Sequence, residues 1–134
     1  MVGVVLVSEN REAVEMLKTT RRLVGRLDGF ASVILRVGQS SERMASALKK
    51  AIRKVDSHKG VLILYDFFGS TQCNVCRRFL KRGAIELVTG FNLSMLVKLG
   101  LVNKTMPIGK LAPFIERYGR EHINHLGTKR SVCC

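Results

Sequence analysis

The sequence predicts an α/β domain: a doubly wound, mostly parallel central sheet of four or five strands with helices on both faces. Two observations carry that prediction. Short apolar runs alternate with amphipathic stretches of helical period, which is the pattern of buried parallel strands joined by crossover helices. The 134 residues, 46% hydrophobic and 25% charged, suffice for one core. A single domain is therefore expected over residues 1–126, followed by a flexible basic tail at 127–134 that ends Cys133-Cys134.

The elements follow in order. Residues 2–7 are a β-branched run that stops at Ser8-Glu9-Asn10, where Ser8 or Asn10 is placed to cap a helix carrying Val14, Leu17, Val24 and Leu27 on one side. Residues 31–37 form a second strand. Ser40 or Ser41 then caps a helix with Met44, Leu48, Ile52 and Val55 at i, i+4, i+8 and i+11, and its other face is basic. Residues 60–65 are the most uniformly apolar run and so the central strand, leading through Asp66-Phe67-Phe68-Gly69-Ser70-Thr71-Gln72 into a helix at about 73–81. Residues 85–88 make a short fourth strand, with a turn at Thr89-Gly90-Phe91-Asn92 before a short helix at 93–99. A loop at 103–107 precedes a last helix at about 111–126, a placement that keeps Pro113 in its first turn.

Composition excludes several roles. Lys and Arg number 23 against 10 Asp and Glu, for a formal net charge of +13 and a pI near 10.3, which disfavours an acidic function. Charge-free stretches such as 87–97, the longest, and 60–65 fall short of the roughly 20 apolar residues of a membrane helix. The opening run has no basic leader and no cleavage site, so a cytoplasmic location is expected, with reduced thiols at Cys73-x-x-Cys76 and Cys133-Cys134. Basic clusters at Lys49, Lys50, Arg53 and Lys54, at Arg77, Arg78, Lys81 and Arg82, and at Lys129 and Arg130 are of a kind that attracts nucleic acid or an acidic protein. With 6% aromatic residues and no Trp, there is little material for stacking bases, which makes nucleic acid the minor reading.

In a parallel α/β sheet, ligands bind beyond the carboxyl ends of the strands, where βα loops and helix starts converge. Two loops fall there. The first offers Ser8, Glu9, Asn10 and Arg11; the second offers Asp66, Gly69, Ser70, Thr71 and Asn74. Together they can form an anion-handling pocket, with Gly69 permitting close backbone approach and the hydroxyls donating to phosphoryl oxygens. On the residues alone, the plainer reading is favoured: Ser70 or Thr71 caps its helix and Asp66 ties down a turn.

Three stretches resemble the enzyme IIA component of mannose-type sugar phosphotransferase systems, and the likeness extends from about Val2 to Leu126. Residues 60–74 are similar to that family's apolar strand followed by Asp, two variable residues, Gly-Gly-Ser-Pro, one variable residue and Asn. Residues 86–97 resemble its Gly-Val-Asn-x-Pro-Met-Leu segment, and the opening strand, its loop and Met16-Leu17-Lys18-Thr19 resemble its first βα unit. The resemblance implies a homodimer. It also implies a histidine after the first strand that takes a phosphoryl group from the phosphocarrier HPr and hands it to an enzyme IIB component, with an Asp orienting the ring.

Here the acceptor position is Glu9 and the orienting carboxylate is Asp66. Gly-Gly-Ser-Pro is replaced by Gly69-Ser70-Thr71-Gln72, and Ser94 stands where the family often has proline. Glu9 cannot substitute for imidazole on equal terms, and Asp66 brings a second like charge. The expectation is a phosphoryl carrier or, given Glu9, a degenerate or regulatory form, with Ser8, Asn10, Gly69, Ser70, Thr71 and Asn74 as the phosphate pocket. Neither a metal nor a cofactor is called for. The alternative is a basic interaction module, holding nucleic acid or an acidic protein without catalysis.

The other reactive residues read as structural. His58 precedes the central strand, at the end of the sheet away from the pocket; His122 and His125 sit at i, i+3 on the expected last helix with no third ligand nearby. Cys73 falls in a helix's first turn, where a thiol is activated, yet no thioredoxin-like setting surrounds it, so buried structural thiols are favoured over a redox pair. The terminal Cys133-Cys134 reads as tail rather than as a lipidation signal.

Overall fold

The computed structural model describes residues 1–127; the expected features at Lys129, Arg130 and Cys133-Cys134 lie outside the described residues. The elements are β1 (Gly3–Ser8), α1 (Glu12–Val24), β2 (Phe30–Ile34), α2 (Ser41–Val55), β3 (Val61–Tyr65), α3 (Thr71–Arg77), β4 (Ile85–Thr89), α4 (Leu93–Val102) and α5 (Ile108–Glu121). The strands pair in parallel in the order β2-β1-β3-β4, which is the doubly wound α/β class expected.

Both central strands are buried along their whole length because helices cover them from above and below. Val4, Leu6, Leu62 and Leu64 enter one apolar cluster with Leu17 of α1, Leu96 of α4 and Ile115 of α5. Val5, Val7, Ile63 and Tyr65 enter the other with Leu48 of α2 and Cys76 of α3. Each fully buried aliphatic side chain of this kind contributes about 1.5–3 kcal/mol relative to exposure, so the two clusters set the sheet's register. Two tight approaches depend on missing side chains. A Cβ on Gly3 would collide with the Val55 carbonyl at the end of α2. Gly60 combines a φ of 99° with a hypothetical Cβ position 2.7 Å from Ile108, so glycine is required there on two counts.

Helix α2 follows its pattern closely. The Ser40 side chain accepts from the Arg43 N–H, and Met44, Leu48, Ile52 and Val55 are buried. Helix α1 differs: its buried stripe is Ala13, Leu17 and Thr20, while Val14, Val24 and Leu27 are only partly covered. Strand β2 stops at Ile34, earlier than expected, and Val37 is exposed. Helix α3 begins two residues earlier than expected and ends at Arg77, because Arg78, Phe79 and Leu80 donate to carbonyls three residues back and so tighten the chain out of the α-helix. Helix α5 starts at Ile108, not at 111, which leaves Pro113 beyond the first turn. The start is set by Ile108 seating against Gly60, with Pro107 accepting from the N–H groups of Lys110 and Leu111. The carbonyl of Gly109, which Pro113 cannot serve, belongs to an exposed residue that water can reach.

Candidate functional site at the β1 and β3 carboxyl ends

Strand β1 is followed by α1 and then by β2 on one side, whereas the chain crosses back to place β3 on the other. The loops after β1 and β3 therefore diverge from a topological switch point, where such sheets open a crevice. Val7 of β1 is the register partner of Tyr65 of β3, so the residues after each strand leave the sheet at the same level. This brings Glu9 and Asp66 into one locality.

The first loop is held by Ser8, which is fully buried. Its hydroxyl donates to the Asn10 carbonyl at 2.7 Å and accepts from the Ala13 N–H at 2.9 Å. It thus performs the capping that Arg11, at the N-cap position of α1, does not supply. The Asn10 N–H donates to the Glu12 carboxylate at 3.0 Å, which folds the loop over the start of the helix. Glu9 is left half-buried and Asn10 exposed. Arg11 turns away to pair with Glu15 at 3.1 Å.

The second loop is held by Ser70. Its hydroxyl donates to the Tyr65 Oη at 3.0 Å and accepts from the Cys73 N–H at 3.0 Å, capping α3 and satisfying a phenol that is 1% exposed. Gly69 turns with a φ of 94°, and Thr71 and Asn74 are exposed on the rim. Of the expected phosphate pocket, Asn10, Gly69, Thr71 and Asn74 face solvent, while the hydroxyls of Ser8 and Ser70 are committed to holding the loops.

The electrostatics are uniformly negative. Burial raises the Asp66 carboxyl above the ordinary carboxylate range, and the charges of Glu12 and then Glu9 raise it further, against an offset from its own backbone N–H. The Tyr65 phenol is raised mainly by burial, with Asp66 and Glu9 adding to it and the Ser70 hydrogen bond opposing. Among the described residues, no ion pair engages Glu9, Glu12 or Asp66. Glu12 and Glu9 thus both act on Asp66 with no ion pair among the described residues to offset them, an arrangement that repels an incoming phosphoryl dianion and suits a partner bearing cations.

Glu12 was not singled out in the sequence. Its position in the first turn of a helix that follows a candidate loop is the signal that marks it. Phe67 and Phe68, 67% and 72% exposed, form an apolar rim beside Asp66 that hydropathy alone does not flag.

None of the described histidines lies in either loop. His58 lies in the turn before β3, exposed, with a φ of 65° and its N–H donating to Asp56 at 2.8 Å. His122 follows the last residue of α5, its ring stacked on Tyr118 at 3.7 Å, and His125 lies beyond the helix, so the two do not share a helix face as expected. Cys73 and Cys76 are buried free thiols, and burial followed by the neighbouring Cys73 pushes Cys76 up to about 12.

Residues 3–116 match the family described as "PTS system fructose IIA component". The chain is 25% identical over 130 residues to the PTS system mannose-specific EIIAB component of Escherichia coli K12, an alignment that covers 96% of this chain and 40% of that protein. It therefore spans about two-fifths of the length of the curated relatives it matches. The fold superposes on the mannose/sorbose-specific IIA subunit of Enterococcus faecalis with a TM-score of 0.83 at 23% identity, covering 98% of each chain. It also superposes on the phosphotransferase component EIIA of Streptococcus agalactiae with a TM-score of 0.81 at 22% identity, covering 93% of this chain and 97% of that one. With the model matched across all four strands and the site lying at their carboxyl ends, the chain belongs to the enzyme IIA family of mannose-type sugar phosphotransferase systems.

Proposed function

We propose that this chain is an enzyme IIA-type domain that has given up carrying phosphoryl groups and presents a fixed negative site to its partners. The observation that carries this reading is Glu9 at the acceptor position, sharing its locality with Asp66 and Glu12. A neutral imidazole accepts a phosphoryl group and keeps it transferable, whereas a carboxylate among carboxylates repels the approaching dianion. A permanent carboxylate also imitates in part the charge of a phosphorylated acceptor. The partners are then an HPr-like phosphocarrier and an enzyme IIB component, a pairing supported by relatives whose name joins the A and B functions.

In this reading Asp66 and Glu9 form the centre and Asn10, Gly69, Thr71 and Asn74 the rim. Ser8 and Ser70 support it from behind. Residues 1–126 act as one domain in the cytoplasm. A homodimer completes the assembly, supported by the outer edge of β4, on which only Ile85 is bridged, to Lys81, among the described residues, and by exposed Phe67, Phe68 and Leu80.

The test is phosphoryl uptake. Purified protein is incubated with phosphoenolpyruvate, enzyme I and HPr, and its intact mass is read beside a histidine-bearing family member. The unaltered chain is expected to gain no adduct, and Glu9→His to gain one. Phosphorylation of the unaltered chain, on Glu9 or on a histidine, overturns the fixed-state reading. Failure of Glu9→His to label removes the account in which the rest of the pocket is intact.

A further inference from the structure

A second feature lies away from the carboxylates and is independent of that reading. Strand β2 is an edge of the sheet. The Leu35 N–H donates to the Ser8 carbonyl at 2.9 Å, and the Gly29 carbonyl accepts from the Val4 N–H at 2.8 Å. By the two-residue alternation of a strand, the residues between them with odd numbers also face β1, so the N–H and C=O groups of Phe30, Ser32 and Ile34 face the open side. This edge is the floor of a groove of about 640 Å³ between α1 and α2.

The walls of the groove are specific in charge and in size. Helix α1 contributes Leu17 and Arg21, and α2 contributes Lys50 and Lys54 together with the small residues Ala47 and Ala51. Among the described residues, no carboxylate lines the groove. Arg21, Lys50 and Lys54 are exposed, and none is in an ion pair among the described residues. An added strand would find main-chain partners along β2 and send alternate side chains to the two walls, one lined with lysines and the other with Leu17 and Arg21.

We propose that this edge captures an extended acidic segment of a partner protein as a further strand beside β2. Charge decides the occupant. A second copy of this chain would bring Arg21, Lys50 and Lys54 against their own counterparts, which opposes association. Nucleic acid would find the cations but no stacking surface, since the aromatic residue of the floor, Phe30, is 7% exposed and packed in the core. A peptide with glutamates on one face and small apolar residues on the other sets its charge against the lysine wall and its apolar side against the aliphatic stem of Arg21, while its backbone pairs along β2.

The test uses a synthetic peptide of alternating glutamate and valine, labelled for fluorescence anisotropy and added to the whole chain. Three results are expected. The peptide binds, and the N–H groups of Phe30, Ser32 and Ile34 become protected in amide exchange while those of Ala31 and Val33 are unchanged. Lys50→Glu with Lys54→Glu, or Arg21→Glu alone, weakens binding by at least about tenfold with the fold intact by circular dichroism. N-methylating the peptide at every residue, which spares its charge and removes its main-chain donors, weakens binding by a similar factor. No binding at millimolar peptide overturns the proposal and leaves the cations as guards of an otherwise adhesive edge. Equal binding of the N-methylated peptide overturns strand addition, and equal binding by the charge-reversed variants overturns the assignment to this groove. Binding of a homopolymeric RNA where the peptide fails would give the surface to nucleic acid instead.

Discussion

Replacing Ser70 with alanine separates two roles for a hydroxyl beside the candidate site, that of anion ligand and that of structural link. In the structure it caps α3 through the Cys73 N–H and donates to the Tyr65 Oη, which has no other partner shown and is nearly inaccessible to water. Ser70→Ala removes a cap worth about 1 kcal/mol. It also strands the phenol, at about 1–3 kcal/mol, so the expected loss is about 2–4 kcal/mol. With a urea dependence of about 2 kcal/mol per molar, the unfolding midpoint should fall by roughly 1–2 M.

Tyr65→Phe makes the two contributions separable. In that background the stranded group is gone, and Ser70→Ala should cost only the cap, about 1 kcal/mol. Equilibrium urea unfolding of the four proteins gives the coupling directly. If Ser70→Ala costs as much in the Tyr65→Phe background as in the unaltered chain, the hydrogen bond contributes nothing and the structural assignment of Ser70 fails.

The remaining predictions concern protons and thiols. Because burial, Glu12 and Glu9 raise Asp66 in the folded chain, the fold holds that proton more tightly than the unfolded chain does. The stability it contributes is therefore full below the unfolded value, about 3.9, and is lost as pH rises through the folded value. Asp66→Asn should stabilise the protein at neutral pH by an amount that shrinks to nothing in acid, and urea titrations across that range would refute this if the difference were flat or grew in acid. With Cys76 pushed up to about 12, its thiolate fraction near pH 8 is more than about a thousandfold below that of an ordinary thiol. Peptide mapping after iodoacetamide should find Cys76 unlabelled in the folded protein and labelled in urea; rapid labelling of the native chain would contradict its burial.

What the sequence disclosed depended on whether one segment was enough to decide the matter. Helix α2 was legible because four apolar positions share one face and Ser40 stands just before the first of them. Strands β1 and β3 were legible because burial on both faces leaves an unbroken apolar run. The start of α5 was not, since it is set by Ile108 against Gly60, a contact between distant parts of the chain, and Pro113 pointed to a later beginning. The candidate site divides in the same way. Glu9 and Asp66 were found from loop position, but the participation of Glu12 depends on where α1 starts. The commitment of the Ser8 and Ser70 hydroxyls depends on loop geometry that no spacing rule encodes.

The strand order also places a burden on synthesis. Strand β1 leaves the ribosome before either of its neighbours, yet it occupies the interior of the sheet between β2 and β3. At about 5–20 residues per second, several seconds separate the appearance of β1 from that of β3. Throughout that interval Gly3–Ser8, an uncharged run dominated by valine, has one side with nothing to pair to. Such a segment is open to mispairing with other nascent chains. The cell must either shelter it or rely on the charge of the helix that follows to keep it dispersed.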